Sequence, residues 1–371
     1  MIGRTKKFTA DPLEKLGVEA SPKHSDSARG LVCSNCGEAI RESLDSGDSV
    51  GCTGCQRQWP VADEIPHLVQ EFPYRGKIPP CQMREVNRVA AATNWRSALL
   101  ESENPSIYRV SEMVLSLERA NWHWLLNLPA ESRVLDIGAG MGTHSHALAL
   151  RFREVIATES VLDHIQFMRQ RFAQERLSNI KIVRTSIRDL PFAEQSIDLV
   201  AMNGVFASVA EGVPGDPGEL QKEALRKVAR VLRTGGYLYL GSENRYFSRY
   251  FLGHQDPHCG LPWVTVSPRP LAQWLARKKS PDGYRNYLYS SRGYRKLLQN
   301  AGFTDIEVFA AIPSYNLPRF LIPVKGREFQ HYSRSFEGSP TNLVRRAAKA
   351  ALLKTNLLQK FVHSFAILAR K

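Results

Sequence analysis

The chain has 371 residues, 43% of them hydrophobic, with 50 Lys/Arg against 36 Asp/Glu and a net charge of +14. Length and apolar content suit one large core with appendages. No run of about 18 apolar residues occurs, and Met1-Ile2-Gly3-Arg4 leads into polar sequence, so neither a membrane span nor a secretory signal is expected.

Residues 1–30 are polar and rich in Ser, Pro and Lys, the composition of a flexible leader. Cys33 and Cys36 are followed, after 15 residues, by Cys52 and Cys55. Two Cys-x-x-Cys pairs at that interval, with Gly37 and Gly54 letting amides turn toward sulfur, predict a four-thiolate zinc site in a ribbon over residues 31–72. A closed site of this kind has no open position for a substrate, so its role is folding or docking. Reduced cysteine pairs also predict a cytoplasmic protein. Pro73, Pro79 and Pro80 mark a connector, and Met83 to Leu100 and Ser106 to Leu128 read as two helices within residues 73–130. Trp95, Trp122 and Trp124 are expected to be core. Cys81, in Pro79-Pro80-Cys81-Gln82, reads as an ordinary thiol.

From residue 131 onward the pattern is strand and helix in alternation. Val134, Leu135 and Ile137 around Asp136 form a short buried strand, and Gly138, Gly140 and Gly142 then turn the chain into an apolar helix. A pyrophosphate-binding fingerprint would place its third glycine at 143, where Thr stands. Val155 to Glu159 is a second strand ending in an acid suited to ribose hydroxyls. Ile180 to Val183 and Ile197 to Met202 are the third and fourth strands, and Tyr237 to Leu240 the fifth, after the amphipathic helix Glu219 to Leu232.

The pattern Asp136-x-Gly138-x-Gly140-x-Gly142 resembles motif I of class I S-adenosylmethionine (SAM) methyltransferases. The resemblance implies an α/β, Rossmann-like, seven-stranded sheet with helices on both faces over residues 131–371. Ile306 to Ala310 and Phe365 to Ala369 fit the antiparallel hairpin that closes the sheet in that family. It also implies SAM contacts at Asp136, the three glycines, Glu159, Ser186, Ile187 and Asn203. Ser186 stands where the family commonly has an acid for the adenine amino group, and Ala207 and Ser208 stand where many relatives have Glu-His. The ribbon and its continuation, Gln58-Trp59-Pro60-Val61-Ala62-Asp63-Glu64-Ile65-Pro66, resemble a zinc-ribbon domain found beside methyltransferases and their activator subunits; Glu64 replaces that pattern's glycine.

Residues 245–295 form an insertion on the substrate side. Glu243-Asn244-Arg245, Asp256-x-His258-x-Gly260 and Pro313-x-Tyr315-x-x-Pro318 resemble methyltransferases associated with bacterial surface-polysaccharide and glycoconjugate synthesis. That implies methyl transfer to a hydroxyl of a sugar, glycan intermediate or small metabolite, with His258, beside Asp256, as candidate base. An RNA methyltransferase and a non-catalytic SAM-binding or partner-docking protein are the alternatives. Arg319 to Lys371 carries 11 Lys/Arg against 2 acids, +9 in 53 residues. This basic segment, 319–362 before the last strand, includes an amphipathic helix over Asn342 to Val362 that can meet an anionic membrane or nucleic acid, or pack on its own domain.

Overall fold

The structure, a computed structural model, describes residues 28–42, 48–69, 76–335 and 357–371. Most of the expected leader, Pro73 of the connector, and residues 342–356 of the basic helix lie outside these. Near the N-terminus four strands, β1 (Ile40–Glu42), β2 (Ser49–Cys52), β3 (Gln58–Ala62) and β4 (Ile65–Pro66), pair antiparallel in chain order. The β3–β4 turn is Asp63-Glu64, both at positive φ, 54° and 63°. A two-residue hairpin turn demands that backbone, and glycine accepts it most easily. Glu64 adopts it all the same, while Asp63 pairs with Arg169 at 2.6 Å.

Three helices follow: α1 (Pro80–Ala92), α2 (Trp95–Leu100) and α3 (Pro105–Leu115). The first expected helix is therefore two. Asn94 breaks it, its side chain accepting from the Ser97 amide at 2.8 Å and so starting α2. The second expected helix stops at Leu115, where Ser116 is extended, and resumes as a 3₁₀ segment, Leu117–Leu125. Cys81 is exposed in the first turn of α1, Trp95 and Trp122 are buried as expected, and Trp124 is exposed, against expectation, under the guanidinium of Arg151.

The main sheet comprises β5 (Arg133–Ile137), β6 (Glu154–Glu159), β7 (Ile180–Arg184), β8 (Ile197–Asn203), β9 (Leu232–Glu243), β10 (Thr304–Ser314), β11 (Leu317–Pro323) and β12 (Ser364–Arg370). Their order is β11-β10-β12-β9-β8-β5-β6-β7. β5 to β9 run parallel to their neighbours among themselves, whereas β12 lies antiparallel between β9 and β10. Among the described residues the sheet thus has eight strands, where seven were expected. The extra one, β11, folds back along β10 after Tyr315-Asn316, with a register shift at Ile312/Pro313. Its prolines, Pro318 and Pro323, mask it in the sequence and are tolerated because it is an edge strand.

Helices α4 (Thr143–Ala149), α5 (Leu162–Gln174), α6 (Pro217–Val231), α7 (Arg269–Arg277), α8 (Ser291–Asn300) and α9 (Glu328–Ser335) complete the elements used below. Alternation along β5 divides the core. Leu135 and Ile137 pack with Leu225 and Val228 of α6 and Tyr294 of α8, while Val134 packs with Leu148 of α4, Phe152 and Trp122. Truncating a side chain such as Leu135, fully buried, costs about 2–5 kcal/mol.

The four-stranded N-terminal unit, where the ribbon was expected, sits beside β7. Leu68 N donates to Arg184 O at 2.8 Å, Val32 N to Pro191 O at 2.9 Å, and Lys181 Nζ to Arg29 O at 2.9 Å. Within the insertion, Val264, Ala272, Ala276, Tyr284 and Tyr287 form a small core of their own.

Candidate functional site

The glycine turn after β5 has φ of +67° at Gly138, +57° at Gly140 and +76° at Gly142. A Cβ at 138 would stand 2.5 Å from Val205 Cγ2 and one at 142 would stand 2.7 Å from Phe172 Cζ, yet at 140 nothing lies within 4 Å. Gly138 and Gly142 are therefore demanded by packing as well as by φ, whereas Gly140 is favoured by its φ alone and leaves open space where a Cβ would stand.

That side is a cavity of about 290 Å³ at the C-terminal ends of β5, β6 and β8, roofed by the 3₁₀ segment and by Tyr315. Ligands of open α/β sheets bind at this end. Asp136, Gly138, Gly140, Glu159, Ser186, Ile187 and Asn203 all line it, and Gly142 shapes the turn from behind.

The Glu159 carboxylate accepts from Gly140 N at 2.9 Å, Ser160 N at 2.7 Å and Val161 N at 3.0 Å, with His164 Nδ1 at 3.7 Å. Burial pushes this acid up, but His164 and the amides overcome it and hold the group at about 2. Asp136 behaves oppositely. Burial raises it to about 6 against the hydrogen bond from Ser145 Oγ at 2.6 Å. Ser186 caps the 3₁₀ turn Ile187–Asp189, its Oγ accepting from Arg188 N at 3.3 Å. Asn203 Oδ1 accepts from Tyr239 OH at 3.1 Å.

His258 and Asp256 do not line the cavity, and they do not form a ring-to-carboxylate pair. Asp256 Oδ1 accepts from the amides of His258 and Cys259 at 2.8 and 3.0 Å, and Oδ2 from Thr265 Oγ1 and Tyr284 OH at 2.8 and 3.0 Å. Its carboxylate fixes the loop. The His258 ring turns instead to Glu243, Nε2 to Oε2 at 3.8 Å, and Glu243 Oε1 accepts from Tyr315 OH at 2.9 Å. Burial pulls the His258 imidazole down, but Glu243 carries it above its ordinary value. Burial likewise pushes Glu243 up, and His258 and Tyr315 bring it below. The line from His258 through Glu243 to Tyr315 thus ends on the cavity wall.

Reading residues along the chain missed Glu243 and Tyr315, although both lie in the quoted motifs Glu-Asn-Arg and Pro-x-Tyr-x-x-Pro. The neighbouring motif residues are structural. Asn244 Nδ2 donates to Lys360 O and Val362 O, and Arg245 to Thr265 O and Ser267 O. Arg119 and His144 also line the cavity, with no motif to announce them.

In the ribbon the sulfurs of Cys33, Cys36, Cys52 and Cys55 all lie within 4.8 Å of one another, with Cys33 to Cys55 at 3.6 Å and Cys36 to Cys52 at 3.3 Å. Four thiolates about 2.3 Å from one tetrahedral zinc would be spaced in this range. The amides of Gly54 and Cys55 reach Cys52 Sγ at 3.4 Å each, and such donors favour a thiolate. The donor set fits a structural zinc ion.

A family model described as a methyltransferase domain matches residues 129–260. The chain is 33% identical over 135 residues to the biotin biosynthesis bifunctional protein BioHC of Cellvibrio japonicus, covering 35% of this chain and 24% of that protein. It is 30% identical over 111 residues to the demethylmenaquinone methyltransferase of Clavibacter sepedonicus, covering 30% and 41%. It thus spans less than half the length of these curated relatives. A solved SAM-dependent methyltransferase from Archaeoglobus fulgidus aligns with 72% of this chain and 100% of its own at 15% identity, with a TM-score of 0.44. Among the described residues no helix is long and apolar enough to cross a membrane. The residues that the family model matches hold the glycine turn and β5 to β9.

Proposed function

We propose that the protein is a SAM-dependent methyltransferase that transfers a methyl group to a hydroxyl of a sugar, glycan intermediate or small metabolite, with a structural zinc ion in its ribbon. The observation that carries the reading is the shared cavity. An ionised Glu159 and a buried Asp136 face it on either side of a glycine turn whose middle member leaves room for a ligand. Glu159 suits ribose hydroxyls, Ile187 and Ser186 the adenine, and Asn203 the reacting end.

SAM supplies a methyl group already activated by a sulfonium, so the chain's task is alignment and removal of one proton. An acceptor hydroxyl held at Tyr315 would pass its proton to the Tyr315 oxygen, while SAM held along Asp136, Glu159 and Asn203 would supply the methyl group and keep the electron pair of the broken carbon–sulfur bond on its sulfur. Tyr315 in turn releases its own proton to Glu243, and His258 steadies the charge of that carboxylate. Asp256 contributes by holding the His258 loop in place.

The test has two parts. Calorimetry with zinc-loaded protein should show SAM uptake, and its absence would end the reading. Tritiated-methyl transfer into lipid-linked glycan, small-metabolite and RNA fractions then identifies the acceptor, label in RNA alone ruling out the hydroxyl acceptors proposed. His258→Ala should leave SAM affinity near normal and lower turnover at least tenfold; unchanged turnover removes His258 from the mechanism.

A further inference from the structure

The insertion turns an apolar surface to solvent beside the His258 loop. Leu252 is 79% exposed, Trp263 53%, Phe251 50% and Tyr246 36%. Apolar side chains exposed singly are ordinary, but these four are contiguous. The rings of Tyr246 and Phe251 lie 6.3 Å apart, and Phe251 meets Phe361, from the basic segment, at 5.9 Å. Trp263 lies over Gly253, next to Leu252: a Cβ on that glycine would stand 3.0 Å from its ring. Trp263 holds this place at a φ of +58°, a backbone that a bulky residue rarely adopts. Its ring is half in water all the same, so the strained backbone serves an outward surface and not the core.

Charge decides what covers this surface. From Asn244 to Pro281 the sequence has six Lys/Arg and one acid, Asp256, which is buried under four hydrogen bonds within the insertion. Arg249, two residues before Phe251, and Lys360, next to Phe361 in the chain, are both exposed. Aromatic rings and a leucine edged by Lys and Arg are complementary to the headgroup layer of an anionic bilayer, where amphipathic rings sit at the boundary and bases meet phosphate. A second copy would bring the same bases against each other across a two-fold axis. Single-stranded RNA would use the rings, but Leu252, the most exposed member, offers no face on which a base can stack.

We propose that Tyr246, Phe251, Leu252 and Trp263, with Arg249 and Lys360, form a surface that docks the protein on an anionic membrane. The inner side of the same loop carries His258 to Glu243, and Asp256 ties the two sides together by accepting from the His258 amide and from Thr265, two residues past Trp263. Resting on the methyl-transfer reading above, the docked insertion meets an acceptor held at the bilayer surface and not one free in solution.

The test is co-sedimentation of the full-length, zinc-loaded protein, without SAM, with vesicles of phosphatidylcholine alone and of phosphatidylcholine mixed equally with phosphatidylglycerol. The mixed vesicles should bind at least tenfold more tightly. Leu252→Ser combined with Trp263→Gly should weaken that binding at least tenfold and leave the urea melt unchanged or improved, because glycine accepts the positive φ that tryptophan strains. Arg249→Glu combined with Lys360→Glu should abolish the preference for the anionic lipid, and this pair decides if the first variant does not fold. A wild type that binds no vesicles overturns the proposal. Undiminished binding by either variant overturns it too, assigning the contact to another part of the chain. Binding of an oligouridine, or dimerisation in sedimentation velocity, that is lost in the first variant while no vesicles are bound overturns it in favour of RNA or a second copy. With SAM absent throughout, failure here leaves the methyl-transfer reading standing, and failure of SAM uptake leaves the docking surface standing.

Discussion

Replacing Asp136 with asparagine should stabilise the ligand-free protein at neutral pH while weakening cofactor uptake. The carboxyl titrates at about 6 rather than 3.8, because burial outweighs the Ser145 hydrogen bond and the nearby Arg119. A carboxyl with a raised folded pKa stabilises the fold fully below the unfolded value, about pH 4, and that contribution is lost as pH climbs through 6. Two units correspond to about 3 kcal/mol, so the ionised acid costs the native state roughly that much at pH 8. An amide is neutral throughout and still accepts from Ser145. The variant should therefore match the wild type near pH 4 and exceed it by about 1–3 kcal/mol at pH 8. Urea unfolding followed by tryptophan fluorescence, with buried Trp95 and Trp122 as reporters, measures the difference across that range. A gap independent of pH, or a less stable variant at pH 8, would refute the reasoning. S-adenosylhomocysteine affinity should meanwhile fall at least tenfold, since the site loses its acidic acceptor.

Glu159→Gln should show the opposite pH dependence. Its folded pKa of about 2 lies below the ordinary 4.5, so its contribution exists above that value and is lost as pH falls toward 2; the variant should lag by up to about 3 kcal/mol at pH 7, a gap that closes in acid melts. Gly138→Ala and Gly140→Ala should separate packing from binding. The first, with its Cβ 2.5 Å from Val205, should cost more than about 2 kcal/mol in a urea melt, whereas the second should cost only about 1 kcal/mol of backbone strain yet abolish ligand uptake. Equal costs would contradict the cavity geometry. Metal analysis should find one zinc per chain, and chelation or Cys52→Ser should melt the ribbon in a separate, lower-temperature transition; an unchanged circular dichroism melt would exclude a structural ion.

Much of this architecture was legible because β5 to β9 are short apolar runs bounded by glycine, acid or polar turns, signals that survive in a single sequence. That these residues line one cavity was legible for the same reason: Asp136, Gly138, Gly140, Glu159, Ser186, Ile187 and Asn203 sit at or just beyond strand ends, where chain position already dictates spatial position. β11 was not, since Pro318 and Pro323 argue against a strand unless its edge position is known. Nor were the contacts that depend on distance along the chain. Glu243 and Tyr315 meet across 72 residues, and Asp256 could be assigned to His258 by proximity in sequence only until its four hydrogen bonds to the loop were seen. Arg119 lies in a 3₁₀ segment, which has no strong periodic signature.

The seating of the ribbon against β7 has a further consequence. The outermost strand of a parallel sheet offers unpaired amides and carbonyls to any other extended chain, including a copy of itself. His67 and Leu68 occupy the end of that row through their contacts at Arg184, and Leu31 pairs beyond the strand with Phe192. Four thiolates and one ion would thereby guard solubility as well as local order: a metal-starved chain would bare a ready template for self-association, and its loss would be seen as precipitation before any loss of the catalytic pocket.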